Sequence, residues 1–408
     1  MKKFLLPVIF GIIILAPALD VVFKISPSGN INENRVKASM PHISVVGTEK
    51  FPMAFENFFS DNFNLRSDLL ILNAYIKFNI LHLSPFKNTV MMGKDGWFFV
   101  QKYISVFQAK EYFDKEELYH FKRLFEIRAK WLSDRNIKMY LVVVPVSTSI
   151  YPEFLPSYMV SYKSVNKTDS LLSFISKVRG LKIIDLRASF KKEKTNGALR
   201  MYHKTDQHWN DYGAFIATKA IIDTIRKDFK NLRSVKLSDY KITSYETDGH
   251  SLAAILLKEK EIKEVNITAT PVGGFKAVKA ERKNYPLPTD FPYKEAFETH
   301  YVVKGLDAPK IMIMKDSYAN NLSPYLNEYF RHSVYIWDNW AYRLNENIVE
   351  SEKPDIVVFE VIEADLYNMI YGADSEINRD SIKRFRYTRD WMNDTSLIKK
   401  SPGAHDKF

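Results

Sequence analysis

Ile311-Met312-Ile313-Met314-Lys315-Asp316-Ser317-Tyr318 is the stretch on which the reading of this 408-residue chain turns. Four consecutive apolar residues, Ile311–Met314, fit a strand buried on both faces, as in a mainly parallel sheet covered by helices. A charged pair and a serine follow. Ligands of such sheets bind beyond the carboxyl ends of the strands, so Ser317 falls where chemistry is expected. A serine just past a buried strand and ahead of a helix projects its hydroxyl from a sharp turn. The backbone N–H groups that follow point to the same place and can bind an oxyanion. Ser323-Pro324 suits the start of that helix, with proline at its first position. An isolated Asp-Ser more often only caps a helix, so the assignment needs a partner.

Lys204-Thr205-Asp206-Gln207-His208-Trp209-Asn210 supplies one. A serine hydroxyl is a weak nucleophile until a base takes its proton, and the base works best when a carboxylate orients it. One residue between Asp206 and His208 lets the carboxylate reach the imidazole and fix its tautomer. The expected triad is Ser317 as nucleophile, His208 as base and Asp206 as orienting acid. Trp209 adjoins the pair and is expected to wall it from water. Tyr318, Asn320 and Asn321 are candidates for the second oxyanion donor beside the Ser317 amide. A surface Asp and His in a turn is the plain alternative. A metal site of His203, Asp206 and His208 is another, but nothing in the sequence shows a further ligand converging on them. The triad is preferred, with neither metal nor cofactor.

Outward from these segments the pattern alternates helix and strand. Lys115–Asn136 reads as an amphipathic helix, Met139–Val144 as a continuous apolar strand ended by Pro145, Ser170–Val178 as a short helix and Lys182–Leu186 as a strand. Asn210 or Asp211 can cap a helix through Lys227, with Tyr212, Phe215, Ile216, Ile222 and Ile225 inward. Val334–Trp337 and Ile356–Val361 complete the strands. This order predicts an α/β fold, a mainly parallel sheet flanked by helices. Upstream, Phe51–Leu83 has helical spacing, and Lys94-Asp95-Gly96 is a turn between two apolar runs, hence a hairpin. Residues 236–301, richer in charge and proline, read as an irregular insertion with loops and short strands.

Composition narrows the setting. Hydrophobic residues at 46% suit a packed globular chain, and the absence of cysteine excludes disulfides and thiolate metal sites. Lys+Arg 59 against Asp+Glu 48 gives a net charge of +11, spread along the chain. With no nucleic-acid motif, that charge points to a solvated basic surface, or to acidic polymer or anionic lipid, and not to nucleic acid. Lys2 and Lys3 precede the apolar run Phe4–Leu19, which reads as an uncleaved signal anchor, with a cleaved signal peptide second. Basic residues ahead of the anchor put the main domain outside the cytoplasm. The expected organisation is an anchor or signal peptide over 1–23, a linker over 24–50, one catalytic domain over 51–395 and a tail over 396–408.

Four segments together resemble the alginate O-acetyltransferase family, SGNH-hydrolase-like proteins that include the DHHW group. Gly93-Lys94-Asp95-Gly96-Trp97-Phe98-Phe99 is similar to its early hairpin and Thr205-Asp206-Gln207-His208-Trp209 to its aspartate-x-histidine-tryptophan motif. Asp248-Gly249-His250-Ser251-Leu252-Ala253 sits where the family has a glycine-aspartate-leucine-alanine element. Asp316-Ser317-Tyr318 corresponds to the nucleophile motif. As in that group, and unlike ordinary SGNH hydrolases, the Asp and His precede the serine. Lys315 replaces a frequent glycine, which questions the local backbone. His250-Ser251 replaces an acidic residue. Glu360 and Glu363 lack the arginine that often follows them and are expected to brace the core.

The resemblance implies the same three triad residues in an envelope enzyme. Such an enzyme receives acetyl groups through a membrane-bound O-acyltransferase and places them on a polysaccharide. Trp209, Trp337 and Trp340 are candidate sugar-stacking surfaces, with ordinary packing the commoner role for any one of them. An acetylesterase with the same triad and a non-catalytic glycan-binding assembly subunit are the alternatives.

Overall fold

The structure is a computed structural model that describes residues 2–23, 37–43, 47–63, 65–109, 112–159, 166–197, 199–288, 291–338 and 340–371. Much of the expected linker and all of the expected tail lie outside the described residues. The centre is a seven-stranded sheet in the order β4-β3-β11-β9-β10-β8-β7. These strands are β3 (Lys138–Val144), β4 (Leu181–Asp185), β7 (Val278–Ala280), β8 (Glu298–Val302), β9 (Lys310–Met314), β10 (His332–Ile336) and β11 (Ile356–Ile362). The five from β4 to β10 pair in parallel, whereas β8 and β7 are antiparallel. Every residue of β11 is buried, as are Ile311–Met314 of β9 and all of β3 after Lys138, which is why these strands read as unbroken apolar runs.

Two apolar layers cover the sheet. One contains Ile311, Ile313, Tyr140, Val142, Val358 and the inward face of the helix Asp211–Ile225. The other contains Met312, Met314, Met139, Leu141, Val357, Phe359 and the helix Lys115–Ser133. The alternation along β9 is the period-two geometry of a strand with a core on each side. The helix Lys115–Ser133 starts at a capping box in which Asp114 accepts from the Glu117 amide and Glu117 from the Asp114 amide, both at 2.8 Å.

Several expectations shift. The expected helix Phe51–Leu83 is two helices, Phe51–Asn62 and Arg66–Tyr75, followed by a wide turn, Ile76–Ile80. The hairpin forms as β1 (Val90–Met92) and β2 (Phe98–Val100), with Asp95 and Gly96 in the left-handed region at φ 54° and 77°. Residues 236–301 are more regular than expected. They hold a long hairpin, β5 (Tyr240–Asp248) with β6 (Lys263–Pro271), and also supply β7 and β8 of the central sheet. The helix after Ser317 spans Ala319–Leu326 and carries Pro324 inside it, not at its start. Proline leaves the Asn320 carbonyl without its i+4 amide; the Ser323 hydroxyl donates to that carbonyl instead, at 3.2 Å.

The N-terminal run forms one helix, Lys2–Phe23, with Pro7 and Pro17 inside it. Some of its side chains lie outside the described set. Among the described residues no helix is long and apolar enough to cross a membrane.

Candidate active site

Ser317 lies in the turn between β9 and the helix Ala319–Leu326. The Lys315 amide donates to the Ile336 carbonyl at 2.9 Å, so the backbone stays in the sheet up to Lys315 and needs no glycine there. Lys315 is itself buried. Its ammonium donates to the Asn320 side-chain oxygen at 2.5 Å and lies 4.8 Å from the centre of the Trp337 ring. Burial pushes its pKa down to about 8, against the pull of Glu360 and Asp316.

Asp316, next to the serine, is fully engaged in the protein. Its carboxylate accepts from the Tyr318 amide (2.8 Å), the Tyr342 hydroxyl (2.9 Å) and the Ile362 amide (3.0 Å). Its own amide donates to Glu360 at 3.1 Å. Burial lifts the Asp316 carboxyl to about 6 despite those donors, and burial, with Asp316 beside it, raises Glu360 well above the usual carboxylate range. Asp316 therefore ties the nucleophile turn to the end of β11 and to the loop that follows β10. Glu363 accepts from the Val146 amide at 2.8 Å and has Arg187 at 3.8 Å, so the missing local arginine is supplied from another part of the chain.

The base arrives on a short folded segment ahead of the helix Asp211–Ile225. Tyr202 pairs with Trp209 as an isolated antiparallel bridge, and the Asn210 amide donates to Met201 O at 3.0 Å. Asn210 caps the helix by accepting from the Gly213 amide at 3.0 Å, and its side-chain nitrogen donates to Arg200 O at 2.6 Å. A Cβ on Gly213 would lie 2.2 Å from Met201 O, so the helix start touches this backbone directly. Glu264 of β6 holds the segment from outside. It accepts from the Lys204 amide at 2.6 Å, the Thr205 amide at 3.0 Å and the Thr205 hydroxyl.

Asp206, His208 and Ser317 meet in a line. Asp206 Oδ1 is 2.7 Å from His208 Nδ1, and His208 Nε2 is 2.8 Å from Ser317 Oγ. Asp206 also accepts from the His208 amide (2.8 Å) and the Ser251 amide (3.2 Å). Burial alone would raise its pKa; the His208 imidazole and these amides outweigh burial and hold the carboxyl well below its usual range. Ser317 Oγ can thus pass its proton to His208 Nε2 while ionised Asp206 keeps the imidazole oriented and stabilises its cationic form.

The neighbouring candidates divide. Tyr318 is buried and its ring lies 4.7 Å from the His208 ring. Its amide is committed to Asp316 and its hydroxyl donates to Gln207 O at 2.6 Å. Tyr318 is accordingly a buttress for the imidazole segment and not an oxyanion donor. Asn320 is exposed in the first turn of the helix; its oxygen is held by Lys315, which leaves the NH₂ as the donor end. Asn321 follows, half-buried. Trp209 is fully buried, edge-on to Tyr318 at 5.3 Å and stacked on Phe190 at 5.8 Å, so it is core beneath the site and not a wall facing water. Trp337 is buried and Trp340 half-buried, in a cluster with Phe291 and Tyr293. His203 does not join Asp206 and His208; it turns to His250 and Glu264, so the three residues weighed as a metal site do not converge. The Ser251 amide and Glu264 escaped the sequence reading, since both act across more than 40 residues and one acts through backbone.

A family model described as "SGNH hydrolase-like domain, acetyltransferase AlgX" matches residues 90–337, more than half of the chain. The chain belongs to this family. It is 26% identical over 181 residues to the probable alginate O-acetylase AlgJ of Pseudomonas aeruginosa. That match spans 44% of this chain and 43% of the relative. Among solved structures, Bacillus cereus PatB1 shares the fold at TM-score 0.51 and 19% identity, over 68% of this chain and 96% of that one. The O-acetyltransferase domain of Pseudomonas putida AlgJ aligns at TM-score 0.43 and 15% identity, over 72% of this chain and 99% of that one.

Proposed function

We propose that this member of an acetyltransferase family moves an acetyl group onto hydroxyls of an exopolysaccharide or cell-envelope glycan, through an acetyl-Ser317 intermediate. The observation that carries the reading is the Asp206–His208–Ser317 relay at 2.7 and 2.8 Å, in a chain of that family.

His208 Nε2 takes the Ser317 proton as Oγ attacks the carbonyl carbon of an acetyl donor. The tetrahedral oxyanion collapses, the donor's leaving group departs with the proton from His208, and acetyl-Ser317 remains. An acceptor hydroxyl then gives its proton to His208 and attacks the acetyl carbon. Ser317 Oγ leaves and recovers a proton from the imidazolium. The Ser317 amide and the Asn320 NH₂ are the oxyanion donors in this reading. Asp206 remains ionised throughout.

The setting is part of the same proposal. Lys2 and Lys3 lead the apolar helix Lys2–Phe23, whose Leu5, Leu6, Val8 and Phe10 are exposed. These exposed apolar side chains favour a membrane anchor, with residues 51–395 as the catalytic domain on the extracytoplasmic side. A membrane-bound O-acyltransferase is the proposed donor partner, as the resemblance to the alginate O-acetyltransferase family implies. The test is incubation of the detergent-solubilised full chain with an activated acetyl ester and an acidic oligosaccharide, followed by mass analysis of the sugar. Acetylated sugar, absent with Ser317→Ala, supports transfer. Free acetate with unmodified sugar supports the esterase reading instead.

A further inference from the structure

Beside the triad, and separate from it, lies a second cluster. One ring nitrogen each of His203 and His250 and a carboxylate oxygen of Glu264 all lie within 4.8 Å of one another. The two imidazole rings are 4.3 Å apart, and His203 Nδ1 is 3.7 Å from Glu264 Oε1. His203 is 8% exposed, and neither His203 Nδ1 nor His250 Nε2 has a hydrogen-bond partner in the protein. Two buried imidazole nitrogens beside one carboxylate, neither of them hydrogen-bonded, form an unfinished polar site, since buried polar atoms are normally satisfied.

A second trio offers the contrast. His300, His332 and Glu352 also cluster. There, however, His300 Nδ1 is 3.1 Å from His332 Nε2, His300 Nε2 is 2.8 Å from Glu298, and Glu352 holds Lys310 at 2.6 Å and Lys283 at 3.1 Å. That trio is internally satisfied and has two ammonium groups on its carboxylate.

We infer that His203, His250 and Glu264 form a zinc site. Two imidazoles and one carboxylate are a common three-ligand set for Zn²⁺, with water completing the tetrahedron. Glu264 already has a supporting shell in the Lys204 and Thr205 amides and the Thr205 hydroxyl, of the kind that orients metal ligands. Arg200 also donates to Glu264 Oε1, at 3.0 Å. This is the contact that gives way when a cation arrives, and Arg200 keeps its bond to Val265 O. The three ligands come from three places: the segment before the triad histidine, the residue ahead of the short helix Ser251–Ile255, and β6. Zinc would therefore clamp the His208-bearing segment to the element whose Ser251 amide holds Asp206. It has no place in the acyl-transfer steps, and the inference does not rest on the proposed activity.

The test uses the full chain in detergent, purified without a histidine tag, stripped with chelator and titrated with ZnCl₂ against a chromophoric competitor. One equivalent of zinc is expected, with affinity reduced at least about 10-fold in His203→Ala and in His250→Ala and unchanged in His332→Ala. Zinc should also raise the melting temperature of wild type but of neither ligand variant. Circular dichroism checks folding. If both variants unfold, Co²⁺ added to wild type decides: strong visible d–d absorption of a tetrahedral site is expected, and its absence overturns the inference. The inference also fails if wild type takes up no zinc, or if the double variant His203→Ala/His250→Ala folds and binds it as tightly as wild type.

Discussion

Asp206→Asn tests the relay at the residue whose role is most sharply set by geometry. The carboxylate accepts from His208 Nδ1 at 2.7 Å and, through the same oxygen, from the His208 amide at 2.8 Å; its other oxygen takes the Ser251 amide at 3.2 Å. An asparagine preserves the shape and one acceptor, so the two backbone contacts cannot both be lost and the fold should hold. It removes the negative charge and turns one side-chain terminus into a donor. Facing an NH₂ group, His208 Nδ1 becomes the acceptor, the proton moves to Nε2, and the base is masked where it must accept from Ser317. Such a tautomer error costs on the order of 10³–10⁴-fold in turnover, or roughly 4–5.5 kcal/mol in the barrier at 1.36 kcal/mol per factor of ten. Initial rates with a chromogenic acetyl ester, with Tm measured on the same samples, read this directly. A folded Asp206→Asn protein within about tenfold of wild type would refute the orienting role.

Glu264 has a carboxyl held down to about 2, where the His203, Thr205 and Lys204 contacts outweigh the upward push of burial. Its stabilising effect is therefore present above the unfolded pKa of ~4.3 and is lost as pH falls toward 2. In chelator, Glu264→Gln should lower stability by about 1–3 kcal/mol at pH 7 and by roughly half as much at pH 3, as read by urea melts. An equal loss at both pH values contradicts this. Glu360 has the opposite sign, because burial and Asp316 raise it. Its ionised form costs stability as pH rises, so Glu360→Gln should raise Tm at pH 8 and lose that advantage near pH 4; a lower Tm at pH 8 counts against it. Gly213→Ala places a Cβ 2.2 Å from Met201 O. It should destabilise by roughly 1–3 kcal/mol and reduce activity through the His208 segment, with unchanged Tm as the contrary result.

Strands β9, β10 and β11 are legible because their runs are buried on both faces, and they match those runs to within about two residues, whereas β7 and β8 at the sheet edge are not. The short Asp206-x-His208 spacing also announces its own contact, since the two residues are neighbours on one tight segment. What could not be read is long-range or backbone-borne. Ser251 reaches Asp206 through its amide, which no side chain advertises. Glu264 looked like one more charge in an irregular insertion, yet from β6 it seats the Lys204-Thr205 amides. His203 looked like a partner of His208 by proximity in sequence, but the Tyr202–Trp209 bridge turns the segment so that His203 meets His250. Pro324 misled because proline at a helix start is common, whereas here a Ser323 hydroxyl takes up the carbonyl that proline leaves.

Whether Ser317 carries the acyl group is read by intact mass spectrometry after brief incubation of the full chain with an activated acetyl ester. One added acetyl group is expected on wild type, mapped to Ser317 and removed by acceptor sugar, with none on folded Ser317→Ala. An acetyl group that persists at the same level in Ser317→Ala, or a folded wild type that turns over ester with no Ser317 adduct under rapid quench, overturns the acyl-serine step.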